Sequence, residues 1–69
     1  MTLNELLKIV NSNVRIQVQI EMYGSTFKAN GYRESFLSND EKAGLLDKEV
    51  KTVWITADEG ISALAVALG

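Results

Sequence analysis

The sequence predicts a small α+β domain of order α-β-β-α-β-β, a four-stranded, mostly antiparallel sheet with two short helices on one face. Three observations predict it: a helical apolar spacing near the start, strict apolar/polar alternation in residues 14–23 and again in 50–57, and turn residues between the alternating runs. At 69 residues the chain has room for one domain, 1–69, and a chain this short buries too little of its surface for a comfortable margin of stability. It contains no Cys and no His, which excludes disulfides and makes a zinc site improbable, so oligomerisation or a tidy core has to serve instead.

The opening segment, MTLNELLKIVNSN, places Leu3, Leu6, Leu7 and Val10 on one helical face. Thr2 and Glu5 have capping-box spacing, Met1 is positioned to staple onto Leu6, and Asn11 to Asn13 end the helix. From Val14 to Tyr23 the alternation is complete. Val14, Ile16, Val18, Ile20 and Met22 point one way, and Arg15, Gln17, Gln19, Glu21 and Tyr23 the other. Gly24 and Ser25 turn the chain into a second strand, TFKANGY, with Phe27 and Ala29 toward the core and Gly31 marking a weakened end or bulge. Ser38 and Glu41 repeat the capping-box spacing, with Asp40 and Glu41 in the first turn and Leu45 and Leu46 as the buried stripe, so a second helix is expected to start at Ser38.

The third strand sets Val53, Ile55 and Ala57 against Val50, Thr52, Trp54 and Thr56, and Asp58, Glu59 and Gly60 form a three-residue hairpin loop. The last strand is apolar on both sides, with Leu64, Val66 and Leu68 on one and Ile61, Ala63, Ala65 and Ala67 on the other. A strand with no wet face requires cover on both. The alanine side is therefore expected to form a homo-oligomer contact through Ile61, Ala63, Ala65 and Ala67, or to lie under one of the chain's own helices.

Charge and composition exclude several functions. Residues 1–35 carry four basic and three acidic side chains and residues 36–69 three and six, so the net −2 divides as +1 and −3. A nucleic-acid-binding domain concentrates Lys and Arg, and this one does not. The longest apolar run is far short of the roughly 20 residues that cross a bilayer. Without a secretory signal or Cys, the chain is expected in the cytoplasm. Neither His nor Cys is available for acid–base or nucleophilic work, the carboxylates fall in caps and loops, and no phosphate loop or metal-ligand spacing occurs. The expectation is a protein that is not an enzyme, with no metal and no cofactor.

Binding is better supported. If Val53 and Ile55 face inward, Trp54, Tyr23, Arg15, Gln17, Gln19 and Thr52 are expected on the open face of one sheet, and such aromatic and Arg residues dominate protein interfaces; the alternative is that Trp54 is core and Tyr23 merely closes a hairpin. Tyr32, Arg33, Lys28 and Lys51 form a second candidate set for a nucleotide ligand, with Arg15, Arg33, Lys28 or Lys51 to pair its phosphates and a Tyr or Trp to stack on its base at a subunit interface.

At LLKIV, VRIQV and LLDKEVKTVWI the chain resembles short proteins encoded in phages and prophages of Gram-positive bacteria, which share the helix, hairpin, leucine-pair helix, D-x-E-V step and final hairpin. The resemblance covers most of the chain and implies no catalytic residues at Leu45, Leu46, Asp47, Glu49 or Val50. It implies a small accessory protein that inhibits or modulates a host defence protein through an exposed sheet face. The alternative is an oligomer that sequesters a nucleotide signal.

Overall fold

The computed structural model describes residues 1–38, 40–58 and 60–69, with the side chains of Met22, Asp40, Glu41, Lys42 and Asp58 outside the description. The elements are α1 (Leu3–Ile9), β1 (Ile16–Met22), β2 (Ser25–Gly31), α2 (Arg33–Ser38), a 3-10 turn (Asp40–Leu45), β3 (Val50–Asp58) and β4 (Ile61–Leu68). They form an α+β domain. Its sheet has the order β2-β1-β4-β3, so the expected antiparallel hairpins β1–β2 and β3–β4 are both present. Between them β1 and β4 run parallel, with Val18 beside Val66, and the sheet is mixed.

Helix α1 starts as its sequence dictates. The Thr2 hydroxyl accepts from the Glu5 N–H at 3.2 Å, and the Glu5 carboxylate accepts from the Thr2 N–H at 2.9 Å. Leu3, Leu6 and Leu7 are buried and Val10 packs on the core. Met1 remains exposed; its carbonyl instead accepts from the Val50 N–H at 2.8 Å, and Thr2 bridges antiparallel to Glu49. The helix ends at an Asn11 turn, where the side-chain oxygen accepts from the Asn13 N–H.

Met22 pairs with Ser25, so the β1–β2 turn consists of Tyr23 and Gly24, at φ 53° and 79°, rather than Gly24 and Ser25. Two left-handed residues are the signature of a type I′ turn, whose twist suits a hairpin. The β1–β2 register is unbroken to Gly31, so Gly31 marks no bulge. Its role is close approach: a Cβ there would meet the Ser35 hydroxyl oxygen at 3.0 Å and the Phe36 ring at 3.5 Å.

The second helix begins earlier than expected. α2 occupies Arg33–Ser38, with Phe36 fully buried and the Tyr32 carbonyl receiving the Ser35 and Phe36 N–H groups. Ser38 closes this helix instead of opening the next, its hydroxyl donating to the Glu34 carbonyl at 2.6 Å. The Glu41 side chain, the other half of the expected capping box, lies outside the described residues. Leu45 and Leu46 do pack on the core, but from a 3-10 turn and the loop after it. Gly44 supplies no side chain there and weakens any longer α-helix.

The core lies between α1, α2 and one face of the sheet, where Ile16, Val18, Ile20, Ala29, Val66 and Leu68 gather. A bulge between Val50 and Thr52 resets β3 so that Val53 opposes Val66 and Ile55 opposes Leu64 on this face. Both nevertheless stay exposed, because the helices stop short of this edge strand. Asp58 pairs with Ile61, leaving a loop of residues 59 and 60 rather than three residues; Gly60 has the left-handed φ of 81°, and Glu59 lies outside the described residues.

Two measurements follow. Tyr23→Asn, which suits the first position of a type I′ turn, should raise unfolding stability by about 1 kcal/mol in urea titration. Hydrogen bonds from the Thr2 backbone and hydroxyl hold the Glu5 carboxyl below its ordinary value of 4.5. A depressed folded value means a stabilising contribution present above pH 4.5 and lost as pH falls through the folded value. The stability difference between wild type and Glu5→Gln should accordingly shrink to nothing in acid denaturation profiles.

Candidate functional site

Among the described residues no helix lies on one face of the sheet, and register decides what does. The alternation that sends Ile16, Val18 and Ile20 inward sends Gln17, Gln19 and Glu21 outward. Their β2 neighbours on this face are Asn30, Lys28 and Thr26. On the other side stand Ala65 beside Gln17 and Ala67 beside Gln19, and beyond these Trp54 beside Ala65, Thr52 beside Ala67 and Thr56 beside Ala63.

This arrangement explains the alanines. Ala65 is fully buried although no helix lies over it, because Trp54 and Gln17 flank it from β3 and β1. β4 is thus covered on both faces within one chain, as a central strand whose small residues sit between larger neighbours. Among the described residues the alanine side lies between flanking side chains of β1 and β3 and under no helix of the chain. Of the four residues assigned to an oligomer contact, Ala63 and Ala65 are buried, Ala67 is half-buried, and Ile61 is exposed at the strand end.

The amides of the open face are ordered. The Gln19 side-chain Nε2–H donates to the Gln17 side-chain Oε1 at 2.7 Å, and the Gln17 side-chain Nε2–H donates to the Asn30 Oδ1 at 3.3 Å. Gln17 is 8% exposed, and this chain supplies the partners that a buried amide requires. Trp54, 38% exposed, stands between Thr52 and Thr56 across the alanines from it.

Of the residues expected to share a binding face, the structure brings together Gln17, Gln19, Thr52 and Trp54, with half-buried Arg15 one residue before β1. Tyr23 is not among them. It is fully exposed in the hairpin turn, six residues beyond Gln17, which is about 20 Å along the strand from the level of Trp54. Alternation in β2 already put Thr26, Lys28 and Asn30 on a common side, yet only the strand order shows that this side continues the Gln17 face.

The second candidate set does not converge. Arg33 has a structural task, donating to the Val10 carbonyl at 3.0 Å and to the Glu34 carboxylate at 3.0 and 3.1 Å, which joins the end of α1 to the start of α2. Tyr32 is half-exposed just before it. Lys28 lies on the open face of β2, opposite Gln19. Lys51 is on the far edge strand with its stem against Gly69. With two strands between them, their backbones are about 14 Å apart. Among the described residues no three Asp or Glu side chains gather into a metal-binding group, and no helix is long and apolar enough to cross a membrane.

Compared with known proteins, the chain is similar to DNA polymerase theta of the mouse, with 50% identity over 44 residues. The match takes in 64% of this chain and 2% of that protein, so the chain spans only a small fraction of the polymerase's length. No protein family and no solved structure matches.

Gln17→Ala removes the middle of the amide chain and strips Gln19 and Asn30 of a partner. It should cost about 1–2 kcal/mol, read as a lower urea midpoint with an unchanged slope.

Proposed function

We propose that this chain is a small non-enzymatic binding protein whose open sheet face occupies a surface of another protein, in the manner of phage-encoded modulators of a host defence protein. One observation carries the reading: Trp54 stands partly exposed on the edge strand of a face that no described helix covers, between Thr52 and Thr56 and across the alanines from an ordered row of amides. An aromatic anchor ringed by neutral polar groups is the composition of an interface centre. The hydrogen bonds among Gln17, Gln19 and Asn30 hold these side chains in place before any partner arrives, which lowers the entropy lost on association. The resemblance to short phage and prophage proteins supports the host-modulating role.

The likeness to DNA polymerase theta raises a DNA-linked reading, but the open face offers Lys28 and the half-buried Arg15 against Glu21, not the row of cations that neutralises phosphates. A nucleotide sponge needs cations that meet at one phosphate. Arg15 and Lys51 stand at opposite ends of the sheet, and Arg33 is engaged with Val10 and Glu34.

The test pairs capture with stability. A host protein retained by the wild type should bind Trp54→Ala at least about 30-fold more weakly, as expected of a central anchor, while the variant stays folded in a thermal melt. Equal retention of that protein by Trp54→Ala would remove the open face from consideration. Heat on titration with cyclic dinucleotides would favour the sponge instead.

A further inference from the structure

We propose that the groove at the end of the sheet where β4 runs past the start of β1 binds a small apolar carboxylate, such as a fatty acid of medium length. The groove has a volume of about 490 Å³, and its lining includes the apolar Val10, Val14, Ile55 and Leu64 together with Arg15 and Ser62. Small-molecule sites span roughly 300–1,000 Å³ and combine apolar walls with a few polar groups of this sort.

Unequal strand lengths open the groove. β4 begins at Ile61, whereas its parallel neighbour β1 begins at Ile16, opposite Leu64. Residues 61–63 of β4 therefore pair with β3 on one side and meet no β1 residue on the other. Helix α1 stops at Ile9 with Val10 as its cap, and Ile55, opposite Leu64 on the edge strand, is left 74% exposed. Apolar side chains from the end of α1, from β3 and from β4 thus border one gap, and an apolar chain laid in it takes their surface out of water.

Charge and an open backbone donor select the head group. Arg15 is the one charged residue that lines the groove. It is half-buried, and its guanidinium has no hydrogen bond or ion pair with a described residue, in contrast to Arg33, which Val10 and Glu34 engage. The Leu64 N–H donates to the Arg15 carbonyl at 2.8 Å. By strand alternation the N–H of Ser62, two residues earlier, points to the same side, beyond the start of β1, where no described strand receives it. A carboxylate accepts from both a guanidinium and a backbone N–H, and its single charge matches the single cation. A phosphate monoester, at about −1.5 to −2 near pH 7, asks for more cations than the groove holds. A neutral apolar molecule would cover Arg15 without pairing it, which costs free energy. Trp54, Gln17 and Gln19 do not line this groove, so the site and the proposed protein-binding face stand or fall separately.

Amide chemical shifts of the isotope-labelled full chain, followed during titration with octanoate, test the site. Octanoate should move the signals of Val14, Ser62 and Leu64 saturably, with a Kd on the order of 1 mM. It should bind at least about tenfold tighter than butanoate, because the added methylenes bury against Val10 and Ile55. Octanol should bind the wild type about fivefold more weakly than octanoate. Arg15→Gln should erase that preference, and Arg15→Lys, which keeps the charge, should preserve it. Signals at Val14, Ser62 and Leu64 that stay unmoved up to about 10 mM octanoate overturn the site. Equal affinity of the wild type for octanol and octanoate, a preference for octanoate that survives Arg15→Gln, or tighter binding of inorganic phosphate at the same residues overturns the carboxylate assignment.

Discussion

The parallel ladder between β1 and β4 joins two hairpins that are otherwise separate pieces of chain. β1–β2 and β3–β4 each close locally, through short turns. Pairing Ile16 to Ile20 with Leu64 to Leu68 requires the ends of the sequence to meet. That pairing puts β4 in the interior, aligns Val18 with Val66 under the helices, and sets Ala65 between Gln17 and Trp54 on the other side. Without it the last strand would be an apolar edge, and α1 would have only half a sheet to cover. The long loop that must close before these contacts form makes this the step of folding with the largest entropic demand.

The helices are short and owe their order to the sheet. α1 has seven residues and α2 six, well under the length at which a helix holds in isolation. α1 is fixed by its capping box, by Leu3, Leu6 and Leu7 on the core, and by backbone bonds from Leu3 and Asn4 to the carbonyls of Lys48 and Leu46. α2 is fixed by Phe36 and by Arg33, whose guanidinium reaches the carbonyl of Val10. These few anchors cover β1, β2 and β4 and leave β3 without a roof. The apolar surface remaining on β3 and the bare amide-lined face are both consequences of having so little helix to distribute.

The two surfaces differ in kind. The open face is ordered by side-chain hydrogen bonds among its amides and carries one large aromatic, with Lys28 and Glu21 beside them. The β3 edge presents backbone as well as apolar side chains. A face of the first sort suits side-chain complementarity with another protein, and an edge of the second suits strand addition. Trp54 belongs to both, projecting from the edge strand into the open face.

What the sequence determined by itself was everything with a local cause. The Thr2–Glu5 cap, the alternation of Ile16, Val18 and Ile20, the hairpin glycines and the pairing of 50–58 with 61–68 follow from contacts within a few residues or across one turn. Alternation also paired Gln17 with Gln19 and Thr52 with Trp54, but that the two pairs share a face depended on Val53 and Ile55 turning inward, which the pairing of β1 and β3 with β4 decided. The start of α2 was not legible, because Ser38, Asp40 and Glu41 form a sound local start signal, and only the burial of Phe36 against the sheet moved the helix to Arg33. Strand order was out of reach for the same reason. Nothing local distinguishes an apolar strand covered by another subunit from one placed in the middle of its own sheet, and Ala63, Ala65 and Ala67 acquired their meaning only once Gln17 and Trp54 stood on either side.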